Sequence, residues 1–183
     1  DSIEGINFFL RRAGRLKRER RRGWVEKVGV EAPESVADHT FRTALISMVV
    51  GDLKGLDTCR MMRLALIHDL AEAVTGDITP ESVEKSEEKR SLDNKYMRKI
   101  LGYLPESLQE TYQALWWDWL EGASVEAKMV QEIDKLEMAL QASEYQDEGY
   151  SEEKLKEFRR SALEKVKDRD LLKLIHSSAQ PSG

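Results

Sequence analysis

The stretch Leu64-Ala65-Leu66-Ile67-His68-Asp69-Leu70-Ala71-Glu72-Ala73-Val74 constrains the fold more than any other part of the chain. Nearly every position is apolar and helix-forming; the exceptions are His68, Asp69 and Glu72. At about 100° per residue, Asp69 lies about 100° from His68 and Glu72 about 40° from it, so all three share one sector of a helix. The rest of the circumference is Leu, Ile, Ala and Val, which predicts burial on nearly all sides. Buried carboxylates beside an imidazole are costly unless something pairs with them, and a divalent cation is the most economical partner. The competing reading is a satisfied core histidine or a buried ion pair. Glu72, one turn on, and matching residues elsewhere count against it.

The remaining sequence is also helical in pattern. Only 4 prolines and 11 glycines occur in 183 residues, and no alternating strand pattern runs for long. Ile3, Ile6, Leu10, Ala13 and Leu16 predict a first amphipathic helix. Ser35-Val36-Ala37-Asp38 is a capping box that opens an apolar helix to about Leu53. Thr58 is the expected cap of the helix carrying His68, which should end near Thr75-Gly76. Thr79-Pro80-Glu81 reads as another helix start. Helices are further expected over 86–103, over 105–120 with Trp116, Trp117 and Trp119 clustered, from the Gly122-Ala123-Ser124 turn through Glu144, and after Ser151. The Lys/Glu-rich stretches 84–90 and 152–160 read as solvated faces. The sequence thus predicts an all-α chain with one domain over 1–176 and a flexible tail over 177–183.

Composition narrows the function. Charged residues are 34% and the net charge is −5, which argues against a general nucleic-acid binder. No apolar run is long enough to span a membrane, and no apolar signal-peptide core opens the chain. The single cysteine, Cys59, cannot form an internal disulfide and fits a reducing cytoplasm. Because the chain opens at Asp1 without Met, a trimmed N-terminus is expected.

Of three histidines, His176 lies by the tail and is expected in solvent, leaving His39 and His68 as ligand candidates. His39 opens an apolar helix. Asp134 borders the stripe Val130, Ile133 and Leu136, where a carboxylate again wants a cation. Two imidazoles and two carboxylates suit one borderline divalent ion such as Mn, Fe, Co or Zn. An octahedral ion so held keeps two positions for water and substrate, and Glu72 is placed to orient or deprotonate the water.

His39, then His68-Asp69, then Asp134 resemble the H…HD…D signature of the HD-domain phosphohydrolases. The run from Ile67 through Gly76-Asp77-Ile78-Thr79-Pro80, with Glu34 to His39 and Asp134 to Ala142, resembles the 5′-deoxynucleotidase branch, over about Phe8 to Glu144. The resemblance implies a single HD-domain helical bundle that binds one divalent metal through His39, His68, Asp69 and Asp134. It implies catalytic roles for Glu72 and Asp77, and a nucleotide pocket lined by Asp77, Ile78, Thr79 and Pro80. It implies a deoxyribonucleoside 5′-monophosphate substrate and a homodimer, with which the tryptophan cluster is compatible. The family pairs an arginine with a tryptophan before the first metal histidine. Arg22 and Trp24 are the nearest match, with Gly23 between them and with Arg20 and Arg21 as alternatives.

Two other readings compete. Residues 11–22 hold eight Arg and Lys residues, which alone would suit a non-enzymatic nucleic-acid-binding module. An HD-type phosphodiesterase or nucleoside-triphosphate hydrolase would keep the metal and change the substrate. Two-metal phosphodiesterases carry additional histidines, which this chain lacks.

Overall fold

The computed structural model describes residues 2–77 and 86–179. Among these the chain forms nine α-helices and no strand: α1 (Ser2–Ala13), α2 (Val36–Lys54), α3 (Thr58–Ile67), α4 (Glu72–Thr75), α5 (Ser86–Leu101), α6 (Glu106–Glu121), α7 (Val125–Asp147), α8 (Glu152–Lys165) and α9 (Arg169–Ser178). None of the described helices is long and apolar enough to cross a membrane.

The long α7 is the axis of the bundle and packs against α2, α3, α6, α8 and α9. The Ser124 side chain accepts the Ala127 amide and starts it. Its buried positions Ala127, Val130, Ile133, Leu136 and Ala139 recur at helical spacing. Each fully buried leucine or isoleucine in such a core contributes roughly 1.5–3 kcal/mol against exposure. The Ser35 capping box forms as expected: its side chain accepts the Asp38 amide, and the Asp38 carboxylate accepts the Ser35 amide. Gly51 lets α2 approach α3, because a Cβ there would stand 2.7 Å from Thr58 Oγ1.

Several expectations change. The helix carrying His68 is not continuous: α3 ends at Ile67, and residues 68–71 form turns before α4. The amides of Leu70, Glu72, Ala73 and Val74 each donate three residues back, to Ile67, Asp69, Leu70 and Ala71. That winding is tighter than an α-helix, yet His68, Asp69 and Glu72 still line one cleft. Asp57, not Thr58, caps α3, accepting the Arg60 amide. No residue of α1 is fully buried, and Leu16 reaches the core from a following 3₁₀ turn. One face of α2 is exposed, with Phe41 at 70% and Leu53 at 80%. The expected last helix is two: α8 ends at Lys165 with Val166 extended, and α9, capped by Asp168, follows and runs to Ser178. His176 is exposed, as expected. The helix start at Thr79-Pro80-Glu81 lies outside the described residues.

The tryptophans do not form a surface cluster. Trp116 is buried at 2% exposure, Trp119 packs its ring 4.9 Å from that of His68, and Trp117 alone faces outward. A second small core joins Trp24, Val28, Val30, Ala142, Tyr145 and Leu155. Its first two members lie on a single π-helical turn over 24–28 that the sequence pattern does not reveal.

Candidate metal centre and active-site cleft

His39 enters from the first turn of α2, His68 from the end of α3, Asp69 from the turn after it and Asp134 from α7. Their donor atoms converge. His39 Nε2 and His68 Nε2 are 3.3 Å apart. Asp134 Oδ1 lies 3.0 Å from His39 Nε2 and 3.6 Å from His68 Nε2. Asp69 Oδ2 lies 3.1 Å from His68 Nε2 and 3.6 Å from His39 Nε2.

The outward ring nitrogens fix what the inward ones carry. His68 Nδ1–H donates to the Ala65 carbonyl at 2.6 Å, and His39 Nδ1–H donates to the Glu137 carboxylate. With both protons committed outward, the neutral rings turn two Nε2 lone pairs toward each other, which is repulsive unless a cation lies between them. Asp69 Oδ2 is buried there without a hydrogen-bond partner. Separations of 3.0–3.6 Å match donor atoms grouped around one ion, given first-row metal bonds of about 2.0–2.2 Å. His39, His68 and Asp134 form a buried group that could hold a divalent metal, and Asp69 Oδ2 stands beside both imidazoles.

The converging imidazoles and carboxylates also shift one another's titration. Burial opposes charge on His68, but Asp69 and Asp134 outweigh it and raise its pKa well above the ordinary value. Burial and Arg21 oppose charge on His39, and its bonds to Asp134 and Glu137 outweigh them. Burial works against ionisation of Asp69 and Asp134, yet their cationic neighbours hold both pKa values below the usual range. Metal binding must displace these protons.

Glu137 is a residue the sequence reading passed over. It is fully buried and is held on its other oxygen by Arg42 Nε at 2.9 Å. Its spacing of three from Asp134 puts both on one face of α7, which was the available signal.

The cleft above this floor has a volume of about 410 Å³. Glu72 lines it, buried, with Oε2 unpartnered and Oε1 3.9 Å from Lys89 Nζ. Burial, then repulsion from Asp69 and Asp77, raise its pKa well above that of an ordinary glutamate. Asp77 is buried, and its Oδ2 accepts the Arg22 amide at 2.7 Å while its own amide donates to Glu19 at 3.1 Å. Gly76 makes this docking possible: its φ is 76°, and a Cβ would stand 3.0 Å from Glu19 Oε1. Ile78, Thr79 and Pro80 lie outside the described residues.

The arginine facing the cleft is Arg21. Strand-like pairing of Arg20 with Ser35 and the Arg21 amide bond to the Glu34 carbonyl orient it inward. Its Nη1 lies 3.6 Å from Asp69 Oδ2. Arg22 points to Glu19, with a side chain 55% exposed, and does not line the cleft. Trp24 does line it, but as a wall. Its ring stacks on Phe158 at 4.2 Å, and its Nε1–H donates to Glu34 at 3.0 Å. The Glu34 carboxyl is pushed up to about 7 by burial and by Glu137. Lys89, Glu157 and Phe158 also line the cleft, so the stretches read as solvated faces each turn side chains inward.

A helical bundle whose paired imidazoles and two carboxylates converge beneath a charged cleft has the makings of a metal-dependent hydrolase. The chain belongs to the HD domain family, which it matches over residues 13–175. It is 41% identical over 167 residues to the 5′-deoxynucleotidase HDDC2 of Homo sapiens, covering 91% of this chain and 81% of that protein. It is 35% identical over 158 residues to the 5′-deoxynucleotidase YGK1 of Saccharomyces cerevisiae, covering 82% and 71%. The crystal structure of the PH0347 protein from Pyrococcus horikoshii OT3 superposes with a TM-score of 0.77 at 31% identity, covering 97% of this chain and 98% of that one.

Proposed function

We propose that the protein is a 5′-deoxynucleotidase, releasing inorganic phosphate from deoxyribonucleoside 5′-monophosphates in the cytoplasm. The observation that carries the reading is the pair of facing Nε2 atoms, 3.3 Å apart and flanked by Asp69 and Asp134, on the floor of a cleft that also holds Arg21. Relatives that bear this activity in their names match over most of the chain.

His39, His68, Asp69 and Asp134 hold one divalent ion of the Mn, Co, Fe or Zn type. When bound, it activates water and offsets charge on the phosphoryl oxygens. Arg21 presents its planar fork to two of those oxygens. Glu72, one turn from the ligands and outside the set, accepts the proton of the attacking water. Asp77 braces the segment bearing Arg21 by accepting the Arg22 amide, and from the cleft lining it acts near the sugar or the leaving oxygen. A homodimer belongs to the same reading, and α2 exposes the apolar row Phe41, Leu45 and Met48, to which a second copy could pack. Of the basic segment over 11–22, only Arg21 enters the cleft, so a nucleic-acid-binding role gains no support from it.

The test is a phosphate-release screen over ribo- and deoxyribonucleoside mono-, di- and triphosphates with several divalent metals. Release from deoxynucleoside monophosphates, abolished by chelator, is expected. Release confined to triphosphates or phosphodiesters would overturn the reading. Within it, Glu72→Gln is expected to keep the metal and lose about 10²-fold in kcat. A loss below about tenfold would remove the proton-accepting role.

A further inference from the structure

The cleft holds a carboxyl that the reaction above leaves unused. Asp93 stands on α5 one turn after Lys89, and both line the cleft with Asp69, Glu72 and Asp77. Asp93 Oδ1 is buried and has no hydrogen-bond partner. The Trp116 Nε1–H, which also comes from the cleft lining, is given to Asn94 at 2.6 Å. Leaving a buried carboxylate unsatisfied is costly, so such a group is stable either as the neutral acid or against a ligand atom.

We propose that Asp93 is the general acid of the reaction, delivering a proton to the 5′-oxygen of the departing deoxynucleoside. The inference rests on the phosphomonoesterase reading. As the water oxygen bonds to phosphorus, its proton passes to Glu72. The P–O5′ bond breaks, its electron pair stays on O5′, and O5′ takes the Asp93 proton. Asp93 is left as a carboxylate and Glu72 as an acid, and exchange with solvent restores both. A primary alkoxide is strongly basic, so its departure near neutral pH is assisted by a proton donor.

The surroundings suit the role. Burial pushes the Asp93 carboxyl up to about 6, with Lys89 drawing it down and Asp69 pushing it up. The charged groups around the cleft are Lys89 on α5, Asp69, Glu72 and Asp77 across it, Arg21 from the N-terminal segment, Lys27 with Glu157, and Asp134 with Lys135 from α7; α6 contributes only Trp116, Trp119 and Leu120. Burial thus lets Asp93 keep its proton to higher pH than an ordinary aspartate does.

Asp93→Asn keeps the shape and removes the proton. The variant is compared with wild type on deoxythymidine 5′-monophosphate and on its analogue with sulfur bridging C5′ and phosphorus, whose thiolate leaves without protonation. The oxygen ester is expected to lose about 10²-fold in kcat, with the sulfur ester close to wild type. Metal content and Tm should hold, and the alkaline limb of the oxygen-ester pH profile should disappear. Equal losses on both esters, or no loss on the oxygen ester, would overturn the role of Asp93 while leaving the phosphomonoesterase reading in place. Wild-type protein inert towards both esters would overturn the two together.

Discussion

Asp69→Ala protein is expected to release no detectable phosphate and to bind its divalent cation more than about 10²-fold more weakly than wild type. Asp69 meets both imidazoles and the guanidinium at once: its Oδ2 lies 3.1 Å from His68 Nε2, 3.6 Å from His39 Nε2 and 3.6 Å from Arg21 Nη1. Removing it withdraws one negative charge from the cation and leaves Arg21 without its closest carboxylate at that face. The fold should feel the loss indirectly. A ligand that binds only the folded chain adds stability that grows with its concentration over its Kd, so the wild type should melt higher when the metal is added and the variant should not. Asp69→Asn preserves the shape and separates charge from volume. Metal content after gel filtration, read with thermal melting at several metal concentrations, checks both. A variant that retains stoichiometric metal and turnover would remove Asp69 from the ligand set.

The helical class and the four convergent donors were legible because they depend on patterns that local physics enforces. His39 follows a capping box that forms as written, and Asp134 borders a stripe of buried α7 positions. His68 was legible as a residue but not in its setting. The apolar run gives no hint that hydrogen bonding tightens to three residues at Asp69 and Leu70, since any helix former tolerates that winding. Lys89 and Asp93 escaped notice for a different reason. On a charged helix one inward-facing pair looks like its neighbours, and only the packing of α5 across the cleft distinguishes it. The tryptophans show the converse: three close in sequence look like a patch, yet helical rotation sends Trp116 to the core, Trp119 to His68 and Trp117 to solvent.

The arginine was the least legible, because nothing local chooses among three in a row. The choice is made by two backbone bonds that tie 19–21 to the start of α2: Arg21 N–H to the Glu34 carbonyl at 3.0 Å, and Val36 N–H to the Glu19 carbonyl at 2.8 Å. At that bridge adjacent side chains alternate sides, so Arg20 turns out and Arg21 turns in, while Arg22 opens the helical turn that follows and points to Glu19. Arg21→Ala is therefore expected to lower kcat/KM for a deoxynucleoside monophosphate on the order of 10³-fold, as loss of a preorganised charge on the phosphoryl group does. Arg22→Ala should cost little, since what Arg22 gives Asp77 is its backbone N–H, which alanine keeps. Arg21→Lys keeps the charge but loses the bidentate fork, and should recover only part of the rate. Because Arg21 also faces Asp69, metal content is measured on each variant. A rate loss with metal retained belongs to phosphate binding, and a loss that follows the metal belongs to the centre. If Arg22→Ala proves as damaging as Arg21→Ala with metal retained in both, the inward arginine does not hold the phosphate, and the placement of substrate against Arg21 must be abandoned.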